Sequence, residues 1–254
     1  MKKALQFDFT GRVAWVTGGG TGIGQSVAVA LASLGAKVAI SGRSNGDETL
    51  GLIKKAGGEA IFVRCDVSKP ADVQNAVKTV VDSYGRLDIA FNNAGVGVVG
   101  KPLAEQTEED YDFVMGADLK GLFFCLKYEI PEMIKTGGGS IINTGSVASV
   151  VGDPGMAVYV AAKHGVAGMT KAAAWDYGRQ NIRINCLAAG FTNTPMTSNW
   201  LADPKMVELV SSWNALGRYA MPDEMVGLVL LLASDLGSFM TGGVICVDAG
   251  QSVH

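Results

Sequence analysis

VAWVTGGGTGIGQSVAVALASLG, residues 13–35, changes character twice. VAWVT (13–17) is a short β-branched run, TGGGTGIG (17–24) is a glycine-rich turn, and QSVAVALASLG repeats small and apolar residues at helical spacing. Strand, glycine turn and helix in this order let the backbone come close to a pyrophosphate, whose charge then sits at the helix N-terminus. The spacing is G-x-x-x-G-x-G, through Gly18, Gly22 and Gly24, and not the general dinucleotide pattern G-x-G-x-x-G.

The same alternation continues outward. Further β-branched runs stand at 37–41, 60–65, 88–93, 140–145, 182–187 and 244–248, each separated from the next by a longer helical stretch. Repeated strand–helix–strand units imply right-handed crossovers and a parallel sheet covered on both faces, which also explains why the strands are almost uniformly apolar. No linker or repeat divides the 254 residues, so the expectation is one α/β, doubly wound (Rossmann) domain over 1–254 with about seven strands. Residues 1–145 form its cofactor half and 146–254 its catalytic and substrate half.

Composition narrows the function. A net charge of −3 with no basic block gives no footprint for nucleic acid or an anionic membrane. The N-terminal MKKALQFDFTGR is interrupted by Gln6, Asp8 and Arg12 and lacks a signal-peptide core, and the apolar run VGLVLLLA is too short to span a bilayer, so a cytoplasmic location is expected. Cys65, Cys125, Cys186 and Cys246 are widely spaced in or beside apolar segments and read as reduced core residues; with two histidines and no CxxC, no metal site is expected.

Cofactor choice is written at the end of the second strand. About twenty residues after the glycine turn, where a carboxylate would grip the ribose of NAD, stand Gly42 and Arg43, and a guanidinium suits the extra 2′-phosphate of NADP, so NADP(H) is favoured over NAD(H). In YVAAK (159–163), Tyr159 and Lys163 stand one helical turn apart on the same face, where the ammonium favours the ionised phenol. His164 lies about 140° round that helix from Tyr159 and is not placed to be the base. Two helices are expected to carry most weight, one over 107–135 with Thr107 as N-cap and a kink at Pro131, the other over about 156–179. Their apolar faces make them candidates for a subunit interface in a homotetramer or homodimer.

With the glycine pattern, NNAG at 92–95, Ser146 after the fifth strand and YVAAK in this order, the chain resembles the classical short-chain dehydrogenases/reductases along its whole length. The resemblance implies that Tyr159 is the acid/base, that Lys163 assists it and holds the nicotinamide ribose, and that Ser146 binds the substrate oxygen. It also implies cofactor contacts at Gly18, Thr21, Gly22, Ile23 and Gly24, at Asp66 and Val67 for the adenine, at Asn92, Ala94 and Gly95 for its ribose, and at Gly190, Thr192 and Thr194 for the nicotinamide end. The family's relay asparagine is Asp118 here, in ADLKG; the usual proline-glycine is Ala189-Gly190; and the end reads VDAGQSVH where a double glycine is commoner.

The variable segment 194–217 is expected to form a lid. Its Met196, Trp200, Leu201, Met206, Leu209 and Trp213, with Val98, Val99, Val150, Val151 and Met156, suggest an apolar pocket for an alicyclic alcohol or ketone such as a hydroxysteroid. The alternatives are a 3-oxoacyl-carrier-protein reductase, which wants a basic surface for its carrier, and a catalytically silent nucleotide-binding scaffold.

Overall fold

The computed structural model describes residues 6–97 and 100–253; Val98, Val99 and His254 lie outside the described residues. The seven expected strands are present within a residue or two of their sequence positions: β1 (Val13–Thr17), β2 (Lys37–Gly42), β3 (Glu59–Arg64), β4 (Ile89–Asn92), β5 (Gly139–Thr144), β6 (Ile182–Ala189) and β7 (Val244–Val247). They form one parallel sheet in the order β3-β2-β1-β4-β5-β6-β7. Thr17 pairs with Asn92 and Asn92 with Asn143, which sets the carboxyl ends of β1, β4 and β5 in one row. Strand order reverses between β1 and β4, the place where an open α/β sheet leaves a crevice for a ligand.

Pleating sends alternate side chains to opposite faces. Val13, Trp15, Ala90, Ile141 and Ile184 pack under α3 (Pro70–Tyr84), α5 (Gly121–Lys135) and α6 (Ala157–Tyr177). Ala14, Val16, Ile40 and Phe91 pack under α1 (Gly22–Ser33), α2 (Asp47–Lys55) and α9 (Asp223–Ala233). This is a single doubly wound domain, as the alternation of runs predicts.

The helix expected over 107–135 is not continuous. Thr107 caps α4 (Glu108–Val114) through a reciprocal box with Asp110, but a π turn over Met115–Lys120 intervenes before α5, inside which Pro131 lies. The turn sits where side chains compete with regular helix: Leu119 packs so close to α6 that a methyl group on Gly165 would stand 2.8 Å from it, and Asp118 is drawn to the backbone after β4. The segment expected to form a lid folds as α7 (Ser198–Leu201) and α8 (Pro204–Ser212). No helix among the described residues is long and apolar enough to cross a membrane. All four cysteines are free; Cys246 is exposed, which corrects its reading as a core residue, because β7 closes one edge of the sheet.

Candidate active site

Above the carboxyl ends of the strands lies a cleft of about 800 Å³. Its floor begins at the glycine turn. Gly18 (φ +63°) and Gly22 (φ +55°) occupy left-handed backbone, and a methyl group on Gly24 would stand 2.3 Å from the Gly18 carbonyl, so Gly24 serves the closeness of helix and turn and does not itself line the cleft. Thr21 is the N-cap of α1 but makes no side-chain capping bond, which leaves first-turn N–H groups of that helix for a ligand anion. The turn is tied to β4 by Asn93: its amide donates to the carbonyls of Thr17 (3.2 Å) and Gly18 (3.3 Å), while the N–H groups of Asn93 and Ala94 donate to the Thr17 hydroxyl. Open backbone donors in a glycine cradle fit a dinucleotide's phosphates.

Beside the end of β2 Arg43 is exposed, and Asp66 and Val67 line the same cleft. Partial burial works against the Asp66 carboxylate, yet the Ser68 hydroxyl (2.7 Å) and N–H (3.1 Å), with Lys69 and Arg43 nearby, hold it below the usual aspartate range. Asn92 is not there. The pleat turns its side chain beneath the cleft toward α5, where its amide donates to Glu129 Oε2 (3.0 Å) and Asn143 Oδ1 (3.1 Å), and Asn93 takes the place at the surface.

The candidate reacting groups come from two neighbouring segments. Ser146 follows β5 and caps a short 3₁₀ turn (Val147–Ser149); its Oγ accepts from the Ala148 N–H at 3.2 Å, so its own proton is free for another acceptor. Tyr159 and Lys163 share a face of α6, with the ammonium 5.5 Å from the ring centre. Lys163 is 5% exposed, donates to the Thr144 carbonyl at 3.2 Å and lies 3.7 Å from Asp118 Oδ1, which also accepts from the Val96 N–H at 3.0 Å. Burial disfavours the Lys163 cation most, but Asp118, Tyr159 and Cys186 together more than offset it and raise the lysine's affinity for its proton. The same burial pushes Asp118 above the usual aspartate range, against the pull of Lys163 and the Val96 N–H. Asp118 therefore lies under Gly95, behind the lysine, and not in the cleft itself.

Below this level is a polar layer that the motifs do not reveal. Asp118 Oδ2, Thr144 Oγ1 and Asn92 Oδ1 have no hydrogen-bond partner among the described residues, and all three residues line a small cavity of about 10 Å³, roughly the room one water needs. Beyond it Glu129 is fully buried and pushed up to about 8 by desolvation, opposed by its hydrogen bond from Asn92. Asn143 continues the chain to the Thr170 hydroxyl at 2.9 Å. The sequence signal for Glu129 is its place on the apolar face of α5, one turn from both Cys125 and Met133.

The far wall is apolar. Trp213 meets Phe191 and Trp200 edge to face, and Phe191 tilts against Trp200, with ring centres 6.0–6.1 Å apart, which joins the turn after β6 to α7 and to the end of α8. Met196, Met206 and Leu209 line the same space, as do Met156 and Phe113, whereas Leu201, Val150 and Val151 do not. Thr192 bonds to its own loop at Gly190, and Thr194 packs on Gly22, closing the lid's root against the glycine turn; Gly190, Thr192 and Thr194 all line the cleft. Ile23, Ala94 and Gly95 line the cleft beside the glycine turn.

A family model described as Enoyl-(Acyl carrier protein) reductase matches residues 18–252. The chain is similar to the 2,5-dichloro-2,5-cyclohexadiene-1,4-diol dehydrogenase of Sphingobium indicum, 40% identical over 96% of this chain and 98% of that one. It is also similar to the cyclohexanol dehydrogenase of an Acinetobacter species, at 36% identity over 99% of each. Among solved structures, levodione reductase superposes with a TM-score of 0.93 at 35% identity, over 96% of this chain and 98% of that chain. Likeness that runs from the glycine turn to the last strand, in sequence and in backbone alike, makes this protein a member of the short-chain dehydrogenase/reductase family, an oxidoreductase with an NAD(P) site.

Proposed function

We propose that the protein interconverts a secondary alcohol carried on a bulky apolar ring and the corresponding ketone, with NADP(H) preferred over NAD(H). The observation that carries this reading is the wall of Phe191, Trp200 and Trp213 facing the same cleft as Ser146, Tyr159 and Lys163. Flat rings and methionines favour an apolar body, and the cleft's only cations among the described residues are Arg43 and Lys163, so nothing there answers an anionic substrate or a phosphorylated carrier.

The cofactor supplies or takes the hydride. Ser146, its oxygen already accepting from Ala148, donates its proton to the substrate oxygen and orients it. Tyr159 gives a proton to the ketone oxygen or takes one from the alcohol, worth about 10²–10⁴ in rate for a positioned acid/base. Lys163 keeps its charge beside the phenol because Asp118 lies behind it, and its N–H not directed to Thr144 or Asp118 is free for a ribose hydroxyl. Gly18, Thr21, Gly22 and Ile23 would hold the pyrophosphate, Asp66, Val67, Ala94 and Gly95 the adenosine, Arg43 the 2′-phosphate, and Gly190, Thr192 and Thr194 the nicotinamide end.

Oxidation of NADPH and NADH with cyclic ketones, steroid ketones and an acetoacetyl thioester tests the reading. Fastest turnover is expected on a cyclic ketone with NADPH; preference for the thioester, or no turnover with any ketone, overturns it. Exposed Phe113 and Phe123, flanking the π turn, and Trp175 on α6 support assembly as a homodimer or homotetramer, readable by sedimentation. Four free cysteines fit a reducing cytoplasm.

A further inference from the structure

The cleft contains a partly buried carboxylate that the reaction does not use. Asp153 lies in the segment between Ser146 and Tyr159 and lines the cleft. Its carboxylate is partly buried and has no hydrogen bond or ion pair among the described residues; only its backbone carbonyl is engaged, by the Met156 N–H at 3.1 Å. Desolvation without any compensating partner pushes this carboxyl above the usual aspartate range.

Its position is firmly set. Gln106 donates to the carbonyls of Lys101 (2.8 Å) and Gly155 (3.1 Å) and accepts from the Val158 N–H (3.3 Å), while the Lys101 N–H donates to Gly155 at 3.0 Å. One amide thus joins the turn carrying Asp153 both to the loop after β4 and to the first turn of α6, just before Tyr159. A carboxylate held in an apolar wall without a donor is unfavourable unless a ligand provides one. Arg43 and Lys163, the cleft's cations among the described residues, are placed at the cofactor and beside Tyr159. No described side chain supplies a donor, so the carboxylate is open to one that a substrate brings into the cleft.

We propose that Asp153 is a subsite for a second hydroxyl on the ring, so that the preferred substrates are alicyclic diols and hydroxyketones and not simple ring alcohols. The inference rests on the ring-alcohol reading above. A hydroxyl donating to a carboxylate forms a charge-assisted bond, stronger than one between neutral groups, and a ring lacking it displaces water from a partly buried acceptor without replacing the bond. That mismatch is the larger source of discrimination.

The test compares cyclohexanol with the cyclohexanediols in the oxidative direction, for the parent, Asp153→Asn and Asp153→Leu. The parent should turn over at least one diol with kcat/KM tenfold or more above cyclohexanol. Asp153→Leu should abolish that preference and leave cyclohexanol within about threefold of the parent; Asp153→Asn, which keeps an acceptor, should fall between. Equal efficiency on cyclohexanol and every diol in the parent, or a parallel loss on all of them in Asp153→Leu, overturns the subsite alone. Preference for an aminocyclohexanol over every diol also overturns it, since the group would then read a cation. Absence of turnover on all these alcohols with both cofactors overturns the ring-alcohol reading and the subsite with it.

Discussion

The surface of the cleft and the layer just beneath it are built on opposite plans. At the surface, Arg43, the Ser146 proton and the first-turn N–H groups of α1 are left open, able to engage something that arrives. Beneath, Asp118, Asn92, Glu129, Asn143 and Thr170 are joined mostly to one another and closed off from solvent, with Lys163 reaching from Asp118 up to the cleft. Open groups at a surface do chemistry, and closed groups below set where the open ones stand and what charge they carry. Substitutions in the two layers should therefore be read out by different measurements.

The sharpest contrast comes from Tyr159→Phe, which removes one oxygen and almost no bulk. Turnover should fall by about two to four orders of magnitude while cofactor affinity stays near the parent's; activity within tenfold would remove Tyr159 from the open layer. Arg43→Ala should weaken NADP(H) binding at least about tenfold and leave NAD(H) almost unchanged, because only one of them has the group that a guanidinium forks. A parent that already prefers NADH would show that Arg43 is only a solvated charge.

The lower layer should respond differently. Asp118→Asn keeps an acceptor for the Val96 N–H but removes the charge that raises Lys163, so kcat at neutral pH should stay within about tenfold while the alkaline limit of activity moves to lower pH. An acidic limb in the parent that vanishes in the variant, with a larger loss of rate, would instead make Asp118 a proton-handling group. Glu129→Gln should hardly touch catalysis. Because the folded carboxyl binds its proton up to about 8 and the unfolded one only to 4.5, its stabilising effect is complete at low pH and is lost as pH rises through that window. The parent's unfolding free energy should carry a slope of up to about 1.4 kcal/mol per pH unit there, absent in Glu129→Gln. Identical slopes in parent and variant would show that Glu129 is already ionised.

Legibility in the sequence divides along the same line. The sheet and the glycine turn can be read because they place strict local demands on the chain: β-branched runs where both faces are covered, glycine where φ is positive or a methyl group cannot fit. Tyr159 and Lys163 can be read because helical spacing fixes their distance. Asn92 is misplaced by its motif because adjacent asparagines at a strand end look alike, and only the pleat decides which one faces the ligand. Phe191, Gln106 and Asp153 lie in turns, where no period marks them. The single glycine in VDAG looks a small departure, yet Ala249 adopts φ +54°, a left-handed conformation that costs a non-glycine residue roughly 1–2 kcal/mol. Its carbonyl accepts from Ala215 beyond α8, so this strained residue anchors the end of the lid.

The π turn at Met115–Lys120 bears on where this protein can change length. A π turn takes in one residue more than an α turn, so the helix beyond it is rotated by about 100° relative to an uninterrupted one. That rotation lets Val114 face the start of α6 while Leu122, Cys125 and Met133 face the sheet. Many single replacements here would leave both faces in place. Removing one residue from Met115–Lys120 would turn the π turn into an α turn and leave both faces in place, whereas removing one from α5 itself would turn the rest of that helix on its axis and carry Glu129 away from Asn92, so the tight constraint on residue number lies beyond the turn and not in it.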